Sequence, residues 1–94
     1  MEPHHAPRRF LLGQTVATRE ALAKLSADDI LQGFKRHSCG DWGELDDEDK
    51  KANDRALAND GRLVSAYRSA AGVRFYIITE HDRSYTTVLL PHEY

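Results

Sequence analysis

Glu80, His81, Asp82 and Arg83 bring two carboxylates, an imidazole and a guanidinium into one short segment, the side-chain types that acid–base or hydrolytic chemistry uses. Such chemistry also needs a pocket. The segment lies between two runs of β-forming residues, and a tight turn there is expected to pair with itself, Asp82 bonding nearby backbone and Arg83 balancing the charge. His37 and Cys39 are two positions apart, but a nucleophilic thiol requires a lowered pKa and an oriented base, and neither follows from closeness along the chain. The same pair is a weak zinc signal without a second pair at ligand spacing, and His4 and His5 would scavenge metal rather than hold it. Asp41 to Asp49 suggests calcium, yet counted from Asp41 it sets Gly43 and Leu45 where oxygen ligands belong and Asp46 where the loop needs glycine. No catalytic residue, cofactor or metal is assigned. The Glu80-His81-Asp82 loop carries the alternative reading, a small enzyme or nuclease accessory subunit.

Recognition of another macromolecule asks less of the side chains. Trp42 stands between Gly40 and Gly43, either as a packing anchor leading into an acidic helix or as an exposed binding hot spot. Residues 41 to 60 hold eight acids against three bases, so the segment carries −5 while the whole chain carries −2. That asymmetry predicts a salt-sensitive contact between a basic partner and some of Asp47, Glu48 and Asp54. Direct nucleic-acid binding ranks below protein binding, because a strongly basic footprint is absent. Arg62, Arg68 and Arg74 with Tyr67 and Tyr76 could still form a modest stacking surface.

The elements that must position these residues come from a chain of 94 residues, enough for one core and too short for Rossmann or TIM architectures. No apolar run approaches the roughly 20 residues of a membrane helix, the N-terminus lacks a hydrophobic signal core, and Cys39 is the single cysteine. These features predict a cytoplasmic protein that contacts no membrane. Residues 1–9 read as a flexible tail and 10–94 as a single α+β domain. Thr18 and Ser26 are N-cap candidates for two helices, the second with a Ser26-x-x-Asp29 capping box and a stripe of Ile30, Leu31 and Phe34. Asp46 caps a third, whose first turn gathers Asp47, Glu48 and Asp49 at the positive end of the helix dipole and which stops at Asn59-Asp60-Gly61.

From Arg62 onward, β-branched and aromatic residues fall into runs 62–69, 73–80 and 84–90. The expected fold is therefore α+β, with N-terminal helices packed on one face of a C-terminal three-stranded antiparallel meander. A two-residue loop at Ala70 and Ala71 would set Val64 opposite Ile77 and Ala66 opposite Phe75, while the second hairpin would pair Ile77 with Val88. The opposite face would then present Ser65, Tyr76 and Leu89 in one row, with Tyr67 opposite Arg74 and Leu63 opposite Ile78. A face so apolar predicts a protein-binding or homodimer surface centred on Tyr67, Tyr76 and Leu89. The competing expectation is that Phe10 to Val16 covers it or adds a strand.

The strings LLGQTVAT, GDWGELDDEDKKAND, SAY and ITEHDRSYTTVLLPHEY resemble a family of small bacterial proteins found on plasmids, integrative elements and phage-like regions. The resemblance spans about residues 11 to 94 and rests on Gly40-Asp41-Trp42-Gly43, Asn53-Asp54, Ser65-Ala66-Tyr67 and Thr79-Glu80-x-Asp82-Arg83-Ser84 followed by Thr86-Thr87. It implies a mobile-element setting and assigns no catalytic residue. The function expected from these strands together is that of a non-enzymatic accessory protein that occupies a host complex. Inhibition of a nucleic-acid-directed defence system, CRISPR or restriction, is its most concrete form, since an acidic face can compete for basic DNA-handling surfaces.

Overall fold

The computed structural model describes residues 7–94, so His4, His5 and most of the expected tail lie outside the described residues. At the tail's inner end, Arg9 donates its backbone N–H to the Ser38 carbonyl at 2.7 Å. The elements run β1 (Gln14–Ala17), α1 (Arg19–Lys24), α2 (Ala27–Ser38), α3 (Asp47–Ala58), β2 (Leu63–Arg68), β3 (Arg74–Thr79), β4 (Tyr85–Leu89) and a terminal 3₁₀ turn, Pro91–Glu93.

All three helices start where a side chain can satisfy an otherwise unpaired amide. Thr18 Oγ1 accepts from the Ala21 N–H at 3.1 Å, and Asp46 Oδ1 accepts from the Asp49 N–H at 2.8 Å. Ser26 and Asp29 exchange side-chain and backbone bonds at 3.0 and 3.1 Å, a full capping box with Asp at its third position.

The sheet is four-stranded and mixed, in the order β1-β4-β3-β2, with β1 parallel to β4 and the other pairs antiparallel. The three C-terminal strands form the expected meander, and β1 extends it to a fourth strand. Gln14 and Thr18 donate their N–H groups to the Ser84 and Val88 carbonyls, both at 3.0 Å. The Phe10–Val16 segment thus joins the sheet at its edge.

The β3–β4 register is the expected one, Ile77 opposite Val88, but the first hairpin is displaced by one residue. Ser69 and Val73 close a three-residue loop: the Ser69 N–H donates to the Val73 carbonyl at 2.8 Å, and the Ser69 hydroxyl accepts from the Val73 N–H at 3.0 Å. Gly72 supplies the left-handed residue, at φ 87°, that such a loop uses. One extra loop residue exchanges the faces of β2. Ser65 now pairs with Ile77, Tyr67 with Phe75 and Leu63 with Thr79, while Val64 pairs with Ile78 and Ala66 with Tyr76. Leu63, Ser65 and Tyr67 therefore belong to the helix-covered face, and the row on the other face is Ala66, Tyr76 and Leu89.

The core packs Ala21 and Leu25 from the helical side against Tyr67, Phe75, Ile77, Val88 and Leu90, with Ala17, Ile30 and Phe34 at its margin. Gly33 lets α2 sit low on the sheet, since a Cβ there would fall 2.8 Å from Ile77 Cδ1. Leu31 of the predicted stripe points outward, 51% exposed. Helix α3 runs along the outer edge of β2. The Asn53 amide donates to the Val64 carbonyl at 2.6 Å and accepts its N–H at 3.1 Å, standing in for a neighbouring strand. The 42–44 loop does the same for Ala66, whose N–H reaches the Trp42 carbonyl at 3.2 Å and whose carbonyl accepts from the Glu44 N–H at 2.7 Å. This edge is closed without a fifth strand.

Candidate functional site

With α1 and α2 on the core face and α3 beside β2, the second face of the sheet is left to the terminal 3₁₀ turn and Tyr94. A row of Val16, Thr87, Ile78 and Val64 crosses it through all four strands. Tyr94 stands over this face with its ring 5.5 Å from Tyr76 in an edge-to-face contact and with the Arg62 guanidinium 5.5 Å from its centroid. The turn that holds it is fastened from within. Glu93 Oε1 accepts from the Leu90 N–H at 2.8 Å and from the Thr18 hydroxyl at 2.7 Å, bonds that keep the carboxyl below the usual carboxylate range, and His92 pairs with Glu20 of α1.

Tyr94 and Arg62 separate two grooves. One, of about 340 Å³, runs between α3 and the sheet and is lined by Leu45, Asp49, Val64 and Tyr76. The other, of about 280 Å³, lies toward β4 and is lined by Ile78, Glu80, Tyr85, Leu89 and Glu93. Asp47 and Glu48 are exposed in the first turn of α3, next to Asp49 on the rim of the first groove. The surface thus combines tyrosine rings, an apolar floor and an acidic border, the composition of a protein-recognition patch.

Of the residues predicted to bind a partner, Tyr76 and Leu89 belong to this face, Leu89 only 8% exposed, while Asp47 and Glu48 are exposed in the same helical turn as Asp49 and line neither groove. Tyr67 is not on this face. It is 1% exposed, its hydroxyl donates to the Asp41 carbonyl at 2.5 Å, and Arg36 covers its ring at 4.6 Å, so burial pushes its phenol well above the ordinary value. Its assignment to a binding surface followed from the displaced register and is corrected by it. Trp42 is likewise a packing anchor, 4% exposed, stacked on Phe10 and edge-on to His37. Its indole N–H donates to Asp54 Oδ1 at 3.0 Å, which gives Asp54 a role in holding the tryptophan rather than in waiting for a partner.

The Glu80–Arg83 loop is self-paired. Asp82 accepts from the Ser84 N–H at 3.0 Å and is held below the carboxylate range by the Ser84 hydroxyl and amide. Arg83, at φ 60°, donates to the carbonyls of Gly61 at 2.6 Å and Glu80 at 3.1 Å and so ties the loop to the end of α3. Glu80 faces Arg62 at 3.8 Å. Comparison with protein-family models, curated proteins and solved structures finds no match to the chain. Among the described residues, no group of three or more His, Cys, Asp or Glu side chains is placed to hold a metal ion. No helix among them is long and apolar enough to cross a membrane.

His37 has the most unusual surroundings, and sequence reasoning considered it only beside Cys39. It is fully buried, with Nδ1 2.5 Å from Ser65 Oγ and Nε2 2.9 Å from Thr79 Oγ1; Thr79 lies 2.6 Å from Thr86 Oγ1, which donates to the Leu12 carbonyl at 2.7 Å. That last bond fixes the direction of the rest. Thr86 accepts from Thr79, Thr79 accepts from His37 Nε2–H, and His37 Nδ1 accepts from Ser65, so one neutral tautomer satisfies every group. Burial, with the Arg83 charge nearby, lowers the His37 pKa to about 3. The signal was present in the spacing: Ile30, Gly33 and His37 fall on one face of α2 and continue its inward stripe. The cluster joins α2, three strands and the 10–12 segment, a structural task.

Proposed function

We propose that the protein is a non-enzymatic binding module that docks the tyrosine-lined grooves on the second face of its sheet onto a basic surface of another protein. The observation that carries this reading is that a tyrosine-lined groove reaches the acidic first turn of α3: Tyr76 and Asp49 line the same groove, and Asp47 and Glu48 stand exposed in the same turn. Aromatic anchors in grooves supply the affinity, and the exposed acids steer approach and select a basic partner. Surfaces of that character are typical of complexes that handle nucleic acids, where a protein bearing ordered carboxylates competes with phosphates. The sequence resemblance to mobile-element proteins supports a host defence complex, CRISPR or restriction, as the partner class.

The test is capture from bacterial host lysate with the full chain as bait, in parallel with Tyr76→Glu and with Asp47→Lys/Glu48→Lys, each checked for folding by its NMR spectrum. A nucleic-acid-handling protein retained by the native chain and lost by both folded variants is the expected result. Retention by both variants would remove this face from the function, and concentration-dependent self-association abolished by Tyr76→Glu would assign the face to a second copy of the chain instead.

A further inference from the structure

We infer that the groove between Tyr85 and Tyr94 is a receptor for a single arginine side chain presented by the docking partner. The inference deepens the proposed function and rests on it. Its chemistry is that of a cation site built from three kinds of group. Glu80 and Glu93 supply two carboxylates, Tyr85 and Tyr94 supply rings that a guanidinium can cover, and Ile78 and Leu89 supply an apolar floor for the methylene stem. The groove measures about 280 Å³, room for one long side chain and not for a helix. Glu93 is held in place by the Leu90 amide and the Thr18 hydroxyl, both bonding Oε1, so its carboxylate is positioned before anything binds.

The groove's affinity for a guanidinium is already displayed within the chain. Arg62 lines it, lies 5.5 Å over the Tyr94 ring and approaches Glu80 with Nε at 3.8 Å, the outer limit of an ion pair. The Glu80 side chain is 28% exposed and that of Arg62 49%, so the carboxylate is the more shielded partner and the arginine the more easily replaced. An incoming guanidinium can face Glu80 with two N–H groups, which the long Nε contact of Arg62 does not. Arg62 is therefore a competitor for the site as well as part of its wall.

This competition gives the test its sign. The full chain is titrated with N-acetyl-arginine methylamide and, separately, with the uncharged citrulline analogue, following amide and side-chain NMR shifts. The arginine probe is expected to give saturable shifts at Tyr85, Leu89 and Tyr94, with the citrulline probe at least about fivefold weaker. Glu80→Gln weakens arginine binding by about threefold or more, whereas Arg62→Gln, which removes the internal competitor, tightens it by about the same factor. Absence of saturable shifts, equal response to citrulline, no weakening in Glu80→Gln, or an Arg62→Gln variant that binds no tighter would each overturn the proposal. The spectrum of each variant establishes that it is folded. Partner capture lost in Tyr76→Glu but intact in Glu80→Gln would leave the docking face standing and remove the arginine site alone.

Discussion

The two faces of the sheet treat their polar groups in opposite ways. On the helix-covered face, His37, Ser65, Thr79 and Thr86 are buried and their donors and acceptors are consumed by one another and by the Leu12 carbonyl. On the other face, Tyr94, Tyr85 and Arg62 are exposed, and Tyr94 meets Tyr76 and Arg62 through ring and cation contacts rather than through hydrogen bonds. A buried polar cluster tolerates one arrangement, because every unmade bond there costs a full desolvation penalty. A tyrosine surface tolerates several and keeps its hydroxyls for whatever arrives. The first arrangement specifies the fold, and the second is suited to recognition.

The sharpest way to break this contrast is to place the same charge on each face. Tyr67→Glu should cost about 4 kcal/mol or more, enough to unfold a small domain, because it strands a carboxylate where a ring filled the core and lost its bond to Asp41. Tyr76→Glu should leave a folded protein. Urea denaturation of both variants decides it, and equal losses would mean that both tyrosines serve the core.

Acid provides the next largest effect. His37 is neutral in the folded state with a pKa near 3, against about 6.5 when unfolded, so below pH 6.5 the unfolded chain binds the extra proton and stability falls as pH falls. The slope is about 1.4 kcal/mol per pH unit, a loss of about 3 kcal/mol by pH 4, and it ends once the folded histidine itself titrates. Asp29, Asp41, Asp82 and Glu93 have lowered pKa values, so their stabilising contributions are present above the ordinary carboxylate range and are lost on further acidification. Stability curves from pH 7.5 to 4.5 should therefore show a histidine-dependent limb that His37→Gln removes, whatever that variant costs at neutral pH.

A smaller loss is expected at the sheet edge. Asn53→Ala removes both bonds to Val64 and should cost about 2 kcal/mol, since the edge amide and carbonyl lose their partner beneath α3. Hydrogen exchange at the Val64 amide should accelerate with it. Least costly to the fold is Tyr94→Ala, whose ring is 61% exposed: a stability change within about 1 kcal/mol, with partner affinity reduced by about tenfold if the open face is the docking surface.

Much of the architecture was legible because it is locally encoded. Thr18, Ser26 and Asp46 announce three helix starts through side chains that reach only three residues ahead, and the three C-terminal runs declare themselves by residue type. What sequence reasoning missed depends on groups far apart or on a single count. Strand β1, held only as a competing expectation for Phe10 to Val16, is four mostly exposed residues whose partner lies about seventy positions on, so no alternation marks its bounds. The first hairpin turns on three residues instead of two, a difference that Gly72 permits and that exchanges the faces of β2. That exchange moved Tyr67 into the core and left Tyr76, half-buried, and Leu89, 8% exposed, on the opposite face of the sheet. Tyr94 and Glu93 entered the candidate site only through a terminal turn whose docking depends on Thr18 and Glu20, more than seventy residues earlier.

The asymmetry of the sheet's edges bears on stoichiometry. Asn53 and the 42–44 loop spend the outward hydrogen-bonding groups of Val64 and Ala66 within the chain, so among the described residues strand addition between molecules is left the β1 end. Two copies joined there would consume both of their available ends at once, and the product would offer no edge for a third. Any assembly by this route terminates at a pair; the same sheet with both edges open could polymerise.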